Sequence, residues 1–224
     1  MVTHRRTTSM TSTPPTMRSS LAAAALIVVS AVGLAATATP STVHAADAPA
    51  AVVEQITSRV IAILADPATS VDDKRHRVED VVYASIDFET LSRLVLARNW
   101  SRFTEPQQTE FMKQFKEHLA MTYGRNVENY KNEKVTITGS REEAKSDWTV
   151  KTKILRGGPG DILVDYRLRP RDGSWRIIDV IIEGVSLVSN FRSQFQDVVS
   201  GGGPERLIAL LREKNAKGEP LKTS

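Results

Sequence analysis

The sequence predicts an α+β protein, a curved antiparallel sheet of about four strands wrapped by several helices. Three observations predict it. Apolar residues recur at helical spacing from Val52 to Tyr123, the apolar period changes from 3.6 to 2 after Tyr130, and the strand-like runs follow one another through short turns. Helices grouped in one block and strands in the next match a segregated α+β architecture rather than the alternation of a parallel α/β fold.

The helical block opens with Val52, Val53, Ile56, Val60, Ile61, Ile63 and Leu64 and is stopped by ADPATS, Ala65 to Ser70. A second helical region covers Val71 to Tyr83. A third runs from about Asp87 to Asn99 with an apolar stripe at Phe88, Leu91, Leu94 and Val95. Thr104 and Pro106 signal the start of a long amphipathic helix whose buried face carries Phe111, Phe115, Leu119 and Tyr123, with Met112 alongside.

In the strand block, Val135 and Ile137 come first, then Trp148, Val150, Thr152 and Ile154, then Ile162, Val164, Tyr166 and Leu168. If Ile154 faces Ile162, then Trp148, Val150 and Thr152 face Leu168, Tyr166 and Val164. The same register sets Lys151 against Asp165 and Asp147 against Arg169 on the other face. An apolar and an ionic pattern therefore agree on one antiparallel hairpin. PRDGS, Pro170 to Ser174, turns the chain into a strand from Trp175 to Ile182, which is apolar on both faces except at Asp179. Glu183-Gly184 breaks it, Val185 to Val199 reads as a helix, and GGGP, Gly201 to Pro204, separates a last helix, Glu205 to Lys214. Residues 216–224 read as a disordered polar tail.

Residues 1–45 read as a cleavable export signal. Arg5, Arg6 and Arg18 precede or flank a 14-residue apolar run, Leu21 to Leu34, no acid occurs before Asp47, and Val43 to Ala45 offers a small-residue cleavage site. The run falls short of the roughly 20 residues that span a bilayer. Removing the leader takes three of the 30 Lys+Arg and none of the 26 Asp+Glu, leaving 27 against 26. A nearly neutral mature chain lacks the clustered positive surface that nucleic acid demands. About 180 residues remain, enough for a single domain, 46–215, with its own core. The absence of cysteine excludes thiol chemistry, thiolate metal sites and disulfides.

Catalytic signals are weak. His76, in the charged run DDKRHR, and His118, beside Lys116 and Glu117, both read as residues of solvated faces, and no metal or triad spacing accompanies them. RGGPGD, Arg156 to Asp161, joins two strands and lacks the Lys-Ser/Thr of a phosphate loop. Asp179 and Glu183, four residues apart on a strand, lie about 13 Å apart by strand rise, wider than the roughly 5–10 Å of paired glycosidase acids. Asp179 needs a partner if buried. A two-residue turn sets it opposite Tyr166, a three-residue turn opposite Arg167. Lys151, Lys153, Arg167 and Arg169 form a basic row on the outer hairpin face, partly neutralised by Asp147 and Asp165. No catalytic residue, metal or cofactor is called for. The alternative is a small hydrolase or isomerase using Asp179 with Tyr166.

LVLARNW (Leu94 to Trp100), FMKQFKEHLAMTY (Phe111 to Tyr123), VDYRL (Val164 to Leu168) and WRIIDVIIEGVSLVSNFRSQF (Trp175 to Phe195) together resemble the MlaC family, also called toluene-tolerance auxiliary components, with hopanoid-associated relatives included. The resemblance covers about Val52 to Asn215. Ala97 departs from it, standing where a glycine is common. The resemblance implies a periplasmic, non-enzymatic carrier that serves an ABC transport system and outer-membrane lipid asymmetry. It further implies a deep apolar cavity for phospholipid acyl chains, or those of a hopanoid or other long-chain lipid, with the headgroup left outside. Implied partners are an inner-membrane MCE-domain/ABC transporter complex and an outer-membrane lipoprotein complex, with the chain itself a monomer. The expected lipid-binding residues are Phe88, Leu91, Val95, Phe111, Phe115, Leu119 and Tyr123 from helices. From the sheet they are Trp148, Val150, Val164, Tyr166, Ile177 and Ile181, with Ile178, Val180 and Ile182 as the exchangeable set if the last strand faces the other way.

Overall fold

The computed structural model describes residues 48–124, 129–156 and 160–221. The expected signal segment and the tip of the RGGPGD loop lie outside the described residues. Among the described residues five α-helices and five strands follow in the order α1 (Ala48–Ala65), α2 (Val71–Ser85), α3 (Phe88–Leu96), α4 (Glu105–Tyr123), β1 (Lys134–Glu142), β2 (Trp148–Leu155), β3 (Ile162–Arg171), β4 (Ser174–Ile182), β5 (Val185–Ser186) and α5 (Leu187–Lys217). The strands form one antiparallel sheet in sequence order. The fifth strand, two residues long, adds to the four expected, and α5 starts at Leu187 rather than Val185.

Local chemistry sets the helix ends. Ser70 accepts the Asp73 N–H at 3.1 Å to start α2, and Asp87 accepts the Thr90 N–H at 2.9 Å to start α3. Thr104 and Gln107 form a reciprocal capping box with Pro106 in the first turn of α4. After α3 the chain passes through a 3₁₀ segment, Ala97–Arg102, entered at Ala97 with φ 48° and ψ −124°. That left-handed geometry suits glycine, which explains why a glycine is expected at this place. Within α5 the GGGP stretch leaves Gly203 at φ 74°, a break where two helices were expected.

The β2–β3 register is the one the two sequence patterns predict, Trp148 facing Leu168 through to Ile154 facing Ile162. Arg169 closes on Asp147 with two bonds of 2.7 and 2.8 Å. The turn into β4 has two residues, Asp172 (φ 50°) and Gly173 (φ 73°). A bulge at Ile178 then shifts the register by one, so Asp179 faces Arg167 rather than Tyr166.

Two apolar cores result. One fills the space between α1, α2 and the inner sheet face, with Val53, Val60, Val150, Ile154, Val164 and Leu168 at its centre. The other is a three-helix bundle of α3, α4 and α5, with five phenylalanines, 103, 111, 115, 191 and 195. The cores meet where α3 and α5 lie against β4.

Candidate lipid-binding slot

The seam between the cores contains an apolar slot of about 40 Å³. Its walls are Leu91 and Val95 of α3, Phe115 and Leu119 of α4, Leu187 and Phe191 of α5, Ile177 to Val180 of β4, and Ile86. The bulge explains how β4 supplies four successive residues. Inserting Ile178 interrupts the strict alternation, so Ile177, Ile178 and Asp179 are all buried in a row.

Among the described residues Asp179 is the only charged side chain in that lining. Its expected partner was Arg167 or Tyr166, and the structure corrects this. One carboxylate oxygen accepts the Ser186 hydroxyl at 2.6 Å and the other the Val188 N–H at 3.1 Å. Ser186 in turn caps α5 by accepting the Ser189 N–H at 3.0 Å. The carboxylate thus sits at the N-terminus of α5, where unpaired N–H groups and the helix dipole favour negative charge. Strand alternation sends Tyr166 into the opposite core, against α1 and α2. Asp179 and Tyr166 therefore share no site, which removes the geometric basis for the hydrolase alternative.

Five of the thirteen residues expected to bind lipid line the slot: Leu91, Val95, Phe115, Leu119 and Ile177. Ile178 and Val180, of the exchangeable set, line it too. Phe111 lies one layer deeper, stacked on Phe115 at 5.5 Å. Phe88 meets Tyr83 edge-on at 5.6 Å, and Lys116 Nζ sits 4.0 Å over the Tyr83 ring. Tyr123 is half-buried near the end of α4, where burial raises its hydroxyl pKa. Val150, Val164 and Tyr166 are buried in the inner core instead, because the face they share is given to α1 and α2. Trp148 and Ile181 are half-buried on the sheet, Ile181 paired with Asp165 and Ser186. Ile86, Leu187 and Phe191 were not foreseen. Phe191 lies on the helix expected from Val185 to Val199, for which no apolar stripe is assigned from sequence.

Polar ties bind the slot's walls together. The Asp87 N–H donates to the Ile177 carbonyl at 3.0 Å, and Arg171 of β3 grips both Asp87 oxygens at 2.7 and 2.6 Å and Glu89 at 3.0 Å. Burial pushes the Asp87 carboxyl up, but the bonds from Arg171 and Thr90 outweigh it and hold it below the usual range.

His118 corrects a second expectation. It is buried, not solvated, and bridges α4 to α5 through Asn215 at 3.0 Å. Residues 216–221 also differ from the disordered tail expected there. α5 extends to Lys217, Gly218 caps it, and Leu221 packs against the bundle core. His76 is exposed as expected. Among the described residues no cluster of His, Cys, Asp and Glu could hold a metal, and no helix is long and apolar enough to cross a membrane.

The described residues form an α+β fold with a seam of aliphatic and aromatic side chains between two packed halves. The model of the family described as MlaC protein matches residues 54–213, and the chain belongs to the MlaC family. The toluene tolerance protein ttg2D of Pseudomonas putida is 26% identical over 119 residues, 53% of this chain and 55% of that protein. The intermembrane phospholipid transport system binding protein MlaC of Haemophilus influenzae is 22% identical over 132 residues, 57% of this chain and 62% of that protein. These matches span less than two thirds of the relatives' own length. A solved structure of a phospholipid-binding protein from Ralstonia solanacearum, in complex with a phospholipid, superposes with a TM-score of 0.68 at 28% identity. That match covers 75% of this chain and 97% of the other.

Proposed function

We propose that this protein is a periplasmic phospholipid carrier, which takes acyl chains into the seam between its two cores and hands lipid between outer-membrane and inner-membrane MCE-domain/ABC transporter complexes. The observation that carries the reading is the apolar slot, set in a fold that superposes along nearly the whole of a phospholipid-bound relative. Each methylene removed from water is worth about 0.8 kcal/mol, so a sixteen-carbon tail gains on the order of 12 kcal/mol on transfer to an apolar site. A lipid therefore crosses water only inside a host nearly as apolar as the membrane.

At about 40 Å³ the slot is little larger than the roughly 30 Å³ share of one liquid water. Loading must therefore spread the walls, the α3–α5 bundle moving off β4. The bundle side suits that motion. Its aromatic rings swing about two torsions, while the ties to the sheet are hydrogen bonds that water can replace. The family's role as lipid transport, without chemistry at the slot, agrees with the bonds Asp179 makes. Direction of transfer comes from the membrane partners, since the carrier needs only a small differential affinity at each.

Native mass spectrometry of protein purified from its own host tests this. One equivalent of phospholipid, exchangeable into vesicles, is the expected result, and a hopanoid mass would redirect the ligand within the same reading. Protein that is empty and takes up no lipid from vesicles would overturn it.

A further inference from the structure

We propose that His118, Asn215 and Leu221 form an acid-released strap that fastens the C-terminal segment, residues 218–221, across the α4–α5 pair. His118 is 1% exposed. Asn215 donates from Nδ2 to the Gln114 carbonyl and to Gln114 Oε1, both at 2.9 Å, which leaves its Oδ1 as an acceptor for His118 Nδ1–H at 3.0 Å. That fixes the tautomer. His118 Nε2 then carries the lone pair, and the Leu221 N–H donates to it at 3.3 Å.

Both ring nitrogens are satisfied only while the imidazole is neutral. A proton on Nε2 would set one N–H against another and bury a charge, so the Leu221 bond is exchanged for repulsion. From α5 the ring faces Lys214, whose ammonium pairs with Glu219 of the strap at 2.7 Å. From the same helix Phe191 meets it edge-on at 6.2 Å. Burial is the main force holding the imidazole below its ordinary value, the Asn215 bond opposes it, and Lys214 adds to it. A histidine whose folded pKa is depressed stabilises the fold fully above its ordinary value of about 6.5. That contribution is lost as pH falls from there through the folded value. Phe191 also walls the slot. The strap stands on these bonds alone and needs no assumption about the ligand.

Amide hydrogen exchange of the purified protein from pH 7.5 to 4.5, with histidine ring shifts followed by NMR on the same samples, tests it. The protection factor of the Leu221 amide should fall about tenfold per pH unit below about 6.5, until His118 itself titrates. In His118→Gln the amide can still donate to Asn215 and accept from Leu221, so protection should stay flat. Constant protection while His118 titrates, or the same fall in His118→Gln, would overturn the strap. Should that variant not fold, Leu221→Pro removes the donor to Nε2, and the ring should then titrate at higher pH than in the unaltered protein. An unchanged titration contradicts the proposal.

Discussion

The two cores are built from different materials. Between α1, α2 and the sheet, the buried set is almost wholly aliphatic and β-branched, with Val60, Val150, Ile154, Val164 and Leu168 at or near zero exposure. Such side chains have few rotamers and fit a pleated surface closely. The bundle of α3, α4 and α5 packs five phenylalanines, with ring centroids 5.1–5.8 Å apart in mostly edge-on pairs. Rings can slide and swing while keeping contact. The difference assigns the first core the part of a fixed frame and the second that of an adjustable wall, with the slot on the adjustable side.

Truncations at the two centres should show the largest contrast. Ile154→Ala should cost about 2–5 kcal/mol in denaturant unfolding and leave lipid stoichiometry unchanged. Phe115→Ala should cost about 3–5 kcal/mol in the empty protein, and loading with phospholipid should recover part of the loss, because a tail fills the space the ring left. Equal behaviour of the two variants on loading would erase the distinction.

Asp179→Ala comes next. It strands the buried Val188 N–H and removes the acceptor for Ser186, at a cost of about 1–3 kcal/mol in the unfolding midpoint. Slot-bound lipid should persist at a temperature well below that midpoint. Ala97→Gly should act in the opposite sense, gaining about 1 kcal/mol by relieving the left-handed backbone at φ 48°. A loss of stability there would show that the methyl packs usefully.

The finest distinction concerns the seam's polar tie. Asp87 is held below its ordinary value of about 3.9. It therefore contributes stability above that pH and loses the contribution as pH falls from there through its folded value. Unfolding midpoints between pH 5 and 2 should fall less steeply for Arg171→Ala than for the unaltered chain. Parallel slopes would mean that Arg171 does not set the Asp87 titration.

Much of the frame was legible in the sequence because two independent patterns agreed there. The β2–β3 register follows from apolar alternation and from the Asp147–Arg169 and Lys151–Asp165 charges together. The facing of β4 was not legible. In a run where Ile177, Ile178, Val180, Ile181 and Ile182 are all apolar, Asp179 is the one polar mark, and its partners Ser186 and Val188 lie beyond the turn, so it does not fix the slip. The bundle side of the slot was half read. Leu91, Val95, Phe115 and Leu119 stood on visible stripes, but Phe88 and Phe111 share those stripes and were drawn into neighbouring contacts. The charged neighbours of His118 point to a solvated face, but it lies seven residues after Phe111 and so on the same buried face. Its partners Asn215 and Leu221 are about a hundred residues away, and no local pattern points to them.

The central claim is that acyl chains enter the seam beside β4 and not the core under α1 and α2. A phospholipid carrying a photoreactive diazirine near the end of one tail, loaded into the protein, illuminated and mapped by peptide mass spectrometry, tests it most directly. Adducts should fall on peptides holding Leu91, Phe115, Leu119, Ile178 and Phe191. Adducts concentrated on α1, α2 or the strand residues Val150 and Val164 would contradict the account.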